Sequence, residues 1–176
     1  MFHRVIEDIA KELNIKCFFL SKDWVIQLTK GNKTKFIVGY KFDVNTHGVG
    51  LVLDDKYAFY DVLNNANIPV CKYNIFYSHN NKNKYAKGCN SYKDIFKIFK
   101  LYNNDAVVKV NNGSLGTGVY HVKNKLELVR HLKRMFKKNF SISICPYYDI
   151  VNEYRVIILN NKIKLIYKKI RPIVYG

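Results

Sequence analysis

Apolar residues Phe2, Val5, Ile6, Ile9 and Leu13 recur every three or four positions, the spacing of one helical face, so residues 2–14 are predicted to form an amphipathic helix laid on a sheet. The period then changes. Residues 15–20, 24–29 and 35–40 are dense in β-branched and aromatic side chains and read as strands, with Lys30-Gly31-Asn32-Lys33 turning between the last two. Together they predict a small N-terminal lobe. A second helix is expected to open at Asp54-Asp55, whose carboxylates suit a cap and first turn, and to run through Ala58, Val62, Leu63 and Ala66 until Ile68-Pro69 stops it. Residues 70–77 read as a strand. Residues 78–90 are almost all polar and predict a long, disordered loop. Ser91 with Asp94, and Asn124 with Glu127, are spaced as helix-capping pairs and predict helices ending near Tyr102 and Lys138. Between them lies the apolar strand Ala106-Val107-Val108-Lys109-Val110, and after them a second apolar strand, residues 142–145. Residues 153–159 and 162–170 predict a β-hairpin turned by Asn160-Asn161, which tolerate the left-handed backbone a tight turn requires.

Composition bounds the class. At 48% hydrophobic and 15% aromatic over 176 residues the chain can bury a core, which excludes general disorder. No apolar run reaches the roughly 18 residues of a membrane span, and acids follow the first helical turn where a signal peptide would be apolar. A soluble, cytoplasmic protein without a membrane partner is expected. Cys17, Cys71, Cys89 and Cys145 form no C-x-x-C pair and stand at no zinc spacing from a histidine, so neither a disulfide framework nor a zinc site is predicted.

The formal charge of +17 attracts polyanions, ATP among them. It does not by itself point to nucleic acid. The basic residues scatter over four regions, no nucleic-acid-binding signature is present, and a chain rich in Asn, Lys, Ile and Tyr owes many lysines to A/T-rich codons.

Chemistry concentrates in Lys109-Val110-Asn111-Asn112-Gly113-Ser114-Leu115-Gly116-Thr117-Gly118-Val119. Glycines directly after an apolar strand let backbone N–H groups approach phosphate oxygens closely. The order G-x-x-G-x-G is neither a Walker A loop nor a dinucleotide fingerprint, and residues 119–122 read as a strand, so the segment predicts a hairpin flap. A plain glycine-rich turn has the same pattern. A lysine inside the preceding apolar strand is costly unless it faces solvent or a counter-charge, and phosphate is such a counter-charge.

The full succession is Asp55-Lys56 opening a helix, Ile68-Pro69-Val70, Val107-Val108-Lys109, the glycine flap, a capped helix, an apolar strand into Pro146-Tyr147-Tyr148, then Glu153-Tyr154-Arg155 and Lys168-Lys169-Ile170-Arg171-Pro172. It resembles the ATP-grasp superfamily of carboxylate-amine ligases over roughly residues 50–176, within the branch of ribosomal-modification glutamate ligases, glutathione synthetase-like ligases and cyanophycin synthetase. The resemblance implies an α/β fold of α+β lobes, with an N-terminal lobe at 1–50 and an ATP-grasp domain at 51–176 that is incomplete at its C-terminus.

The same resemblance implies Lys56 and Lys109 as the nucleotide-phosphate lysines, and Gly113, Ser114, Gly116 and Gly118 as the flap over the phosphates. It places Tyr148 where backbone groups meet adenine, Glu153 on the ribose hydroxyls, and Arg155 and Arg171 toward the transferred phosphoryl group or an acyl-phosphate. The implied activity is ATP-dependent formation of a C–N bond through that acyl-phosphate, with amino-acid or peptide carboxylate and amine substrates. Cys145 departs from the Glu or Gln usual at the hinge. The family's Mg²⁺ ligands lie on C-terminal strands beyond Gly176, so the expected chain is a fragment of a longer ligase, whose metal ligands are elsewhere. Two other classes stay open: a nucleotide-binding pseudoenzyme or regulatory module, and a basic nucleic-acid-binding protein whose affinity falls steeply with salt and ignores Lys109 and Gly116.

Overall fold

Helix α1 (Phe2–Glu12) forms where the apolar period predicts it, and lays Ala10 against an antiparallel meander of β1 (Lys16–Leu20), β2 (Val25–Lys30), β3 (Lys33–Val38) and β4 (Lys41–Phe42). Register puts Phe19, Ile26, Ile37 and Phe42 in one row, of which Ile26 and Ile37 are buried. The computed structural model describes residues 1–78 and 91–170; the expected loop beyond Ser78 with Cys89, and the terminal segment with Arg171, lie outside the described residues. Two compact units divide the chain, Met1–Phe59 and Tyr60–Gly176.

Helix α2 (His47–Asp54) was not legible in the sequence, because Gly48 and Gly50 lower helix propensity and no polar face interrupts Val49, Leu51, Val52 and Leu53. Helix α3 (Lys56–Asn65) starts as expected: the Asp55 carboxylate accepts a hydrogen bond from Ala58 N–H at 2.8 Å.

The second unit is built on β5 (Asn74–Tyr77), β6 (Ala106–Val110), β7 (Val119–Val122) and β8 (Ser141–Pro146), in the order β5-β8-β6-β7 with every neighbour antiparallel. Strand β5 is shorter than residues 70–77. Asn74 pairs with Ile144, and two positions further along the ladder stands Pro146, which has no N–H to continue it. Helices α4 (Tyr92–Leu101) and α5 (Lys125–Phe136) cover one face of this sheet. Ser91 accepts from Asp94 N–H at 3.2 Å and Asn124 from Glu127 N–H at 2.9 Å, the two capping pairs read from spacing. Ile95 and Phe99 of α4 and Leu128, Leu132 and Met135 of α5 pack with Phe76, Ala106, Val108, Val122, Ile142 and Ile144. Each fully buried Val, Leu or Ile among them contributes about 1.5–3 kcal/mol relative to leaving it exposed.

Strands β9 (Glu153–Leu159) and β10 (Lys162–Lys169) form a separate hairpin through Asn160 and Asn161, at φ 51 and 58°. Its side chains are exposed on both faces, and a β-bulge falls between Ile163 and Leu165.

Candidate functional site

Alternation along β6 divides its side chains between two environments. Ala106 and Val108 enter the helix-covered core, which leaves Val107 and Lys109 on the other face. Register extends that face sideways: Lys109 is opposite Ser143 of β8 and Val119 of β7, and Val107 is opposite Cys145 and His121. The sheet therefore presents one row, Ser143, Lys109 and Val119, beside a second, Cys145, Val107 and His121.

Lys109 is half-buried. Its amine donates to the Tyr73 phenol oxygen at 3.0 Å and lies 5.2 Å from the centroid of the same ring. Among the described residues it joins no ion pair. Burial alone would lower its pKa, but the Tyr73 hydrogen bond and the neighbouring Cys145 and Tyr73 outweigh it, so Lys109 is held above the ordinary lysine value and stays cationic. Burial pushes the Tyr73 phenol up despite Lys109, and likewise the Cys145 thiol. The Ser143 hydroxyl, fully buried across from Lys109, has no hydrogen-bond partner among the described residues.

The glycine segment leaves the end of this same strand. Val110 N–H donates to Gly118 O at 3.2 Å, Gly113 N–H to Val110 O at 3.2 Å, and Thr117 N–H to Ser114 O at 3.1 Å, closing the predicted hairpin flap. Leu115 and Gly116 at its tip both have positive φ, 55 and 73°. Ser114 is exposed, and so are Leu115 and Gly116.

At the other end of the sheet, Asp105 and β7 fix the segment that follows β8. His121 Nε2 lies 2.5 Å from Asp105 Oδ1, the His121 ring stacks on Tyr147 at 3.9 Å and 8°, and Tyr147 N–H donates to Asp105 O at 3.2 Å. Tyr148 follows this stack and is half-exposed. The structure thus brings Lys109, the flap and the Tyr147-Tyr148 segment onto one sheet. Lys56 opens α3 in the first unit. Glu153 pairs with Lys169 across the hairpin, and Arg155 stands opposite Tyr167, exposed.

Sequence reasoning missed Tyr73 and the His121, Asp105 and Tyr147 stack. His121 had a signal: it shares the parity of Val119, across from Lys109, and so its face. Tyr73 had none, because it lies 36 residues from Lys109 and outside any regular element.

No family model matches the chain, and no curated protein matches it. Among solved structures it is similar to D-alanine–D-alanine ligase from Bacillus anthracis complexed with ATP, at 20% identity over 66% of this chain and 34% of that one, with a TM-score of 0.50. It is also similar to D-alanyl-alanine synthetase A from Vibrio cholerae, at 12% identity over 90% of this chain and 52% of that one, with a TM-score of 0.52. The chain spans a third to a half of the length of these ligases, and at such identities the likeness is one of fold. The chain therefore shares the fold of part of those ligases, its antiparallel sheet backed by two helices lying within the compared length.

Proposed function

We propose that this chain binds ATP and is all or part of an ATP-dependent carboxylate-amine ligase, with an N-terminal lobe at residues 1–50 followed in sequence by an ATP-grasp domain at 51–176. One observation carries the reading. Lys109 holds a positive charge, half-buried and without a carboxylate partner among the described residues, on the strand from which the glycine flap departs. A desolvated cation beside unobstructed backbone N–H groups is suited to a phosphate chain.

Bound ATP would supply the γ-phosphoryl group that activates a carboxylate for attack by an amine. The protein's share of such a reaction is position and charge rather than covalent chemistry. In this reading Lys109 and Lys56 neutralise phosphates and Gly113, Ser114, Gly116 and Gly118 close over them. Backbone groups at Tyr148 meet adenine, Glu153 exchanges Lys169 for ribose hydroxyls, and Arg155 and Arg171 stabilise the transferred charge. Among the described residues no three His, Cys, Asp or Glu side chains gather to hold a metal by themselves, and a Mg²⁺ ion accompanying the nucleotide would be held chiefly by its phosphates. Amino-acid or peptide substrates are the expectation that accompanies this fold.

Calorimetric titration with ATP, with and without Mg²⁺ and at two salt concentrations, tests the reading on the wild type, Lys109→Ala and Gly116→Val. Saturable binding weakened at least about tenfold in both variants is expected, the size of one lost charge-assisted contact. Binding that ignores both substitutions and vanishes with salt would assign the charge to nonspecific polyanion attraction instead.

A further inference from the structure

Tyr73 and Lys109 come from opposite sides of β8, and β5, β8 and β6 carry them to a 3.0 Å contact. The direction of that hydrogen bond is fixed by chemistry. An ammonium group only donates, so the phenol oxygen accepts, and the phenol keeps its own proton for another acceptor. A neighbour on this face is the Cys145 thiol, a weak acceptor that burial keeps protonated. Donation from a cation also polarises the phenol and makes its O–H a stronger donor.

The phenol is held in place. The Tyr60 ring meets Tyr73 edge-on at 6.4 Å and 66°, and the Lys109 amine is held at the hydroxyl end of the Tyr73 ring, so both the ring plane and the amine are positioned before any ligand arrives. What the pair lacks is an anion. Among the described residues Lys109 joins no ion pair, so its charge is open to an anionic ligand.

We infer that Tyr73 and Lys109 form one phosphate-recognition unit, in which the Tyr73 hydroxyl donates to a phosphate oxygen of a nucleoside polyphosphate while the Lys109 amine neutralises it. This rests on the ATP-binding reading above and deepens it: Tyr73 becomes a ligand-binding residue, selective for the phosphate chain over the nucleoside.

The test is the affinity of the full chain for ATP and for adenosine, by calorimetry, in the wild type, Tyr73→Phe and Lys109→Ala. Tyr73→Phe keeps the ring and its contact with Tyr60, and removes only the hydroxyl. ATP affinity is expected to fall about tenfold, as for one hydrogen bond to a charged group, with adenosine affinity unchanged. Equal or tighter ATP binding by Tyr73→Phe, or equal losses for ATP and adenosine, would overturn the assignment, since the hydroxyl would then only park the amine or the ring only pack. Wild type that binds no ATP would remove the ATP reading as well, whereas loss in Lys109→Ala with full affinity in Tyr73→Phe would remove this inference alone. Should Tyr73→Phe fail to fold, Tyr73→His, a smaller ring that retains an N–H donor, is expected to keep the preference for ATP over adenosine. A folded Tyr73→His that loses that preference also overturns it.

Discussion

A Cβ placed on Gly118 would stand 2.6 Å from Val110 Cγ2, closer than real Cβ contacts, while one placed on Gly116 would meet nothing within 4 Å. Both glycines have positive φ, 68 and 73°, so alanine at either position carries the left-handed penalty of roughly 1–2 kcal/mol. Only Gly118→Ala adds the clash. It is expected to lower stability in urea by about 1 kcal/mol more than Gly116→Ala, and Val110→Ala made in the Gly118→Ala background should recover part of that difference. Equal losses from the two glycines would show that the flap does not close on Val110.

Removal of the α5 cap has a defined cost. The Asn124 side chain accepts from Glu127 N–H, and Glu127 accepts from Lys123 N–H at 2.9 Å, so each satisfies a backbone donor at the start of the helix. The Lys123 N–H bond holds the Glu127 carboxyl below the usual carboxylate range. Asn124→Ala should cost about 1 kcal/mol of unfolding free energy and Asn124→Asp almost nothing, measured by urea denaturation. An Asn124→Ala variant as stable as the wild type would mean that water caps α5 equally well.

These two cases mark what was legible in the chain. Asn124, Ser91 and Asp55 act through neighbours three residues away, so capping-pair spacing located the starts of α5 and α4, and the Asp54-Asp55 carboxylates that of α3. Lys109, the flap and the Asn160-Asn161 turn were legible for the same reason: strand and turn chemistry is local. Helix α2 was hidden because its glycines carry the signature of a turn. Tyr73 was hidden because its partner is set by strand order, β5 beside β8 beside β6, which no local pattern encodes.

His131 on α5 makes stability depend on pH. Its Nδ1 is buried without a hydrogen bond and its ring stacks on Tyr120 at 4.0 Å. Burial, then the charge of Arg130, holds its pKa below the ordinary histidine value, with Glu127 opposing and Arg134 adding to the effect. The unfolded chain then binds more protons than the folded one as pH falls below about 6.5, so the His131 contribution is complete above that pH and is lost as pH drops through the folded value. Between about pH 7.5 and about pH 5.5 the wild type should lose more stability than His131→Phe, which cannot be protonated. Parallel losses in the two proteins would place the pH sensitivity elsewhere.

Leu115 should be replaceable with a gain in stability. It is the first central residue of the turn closed by Thr117 N–H and Ser114 O, with Gly116 the second, and both have positive φ, the pattern of a type I′ turn. Asn, Asp or Gly suits that position; leucine pays its left-handed penalty there and, fully exposed, buries nothing in return. Leu115→Asn should therefore raise unfolding free energy by about 0.5–1 kcal/mol, and should do better than Leu115→Gly, whose unfolded state gains entropy. The same variant bears on function. If the flap closes over a nucleotide, the apolar tip is the part of it free to bury, and Leu115→Asn should be more stable yet bind ATP more weakly. A variant that gains stability and keeps full ATP affinity would show that the leucine does no work in binding, and that the flap acts through its backbone alone.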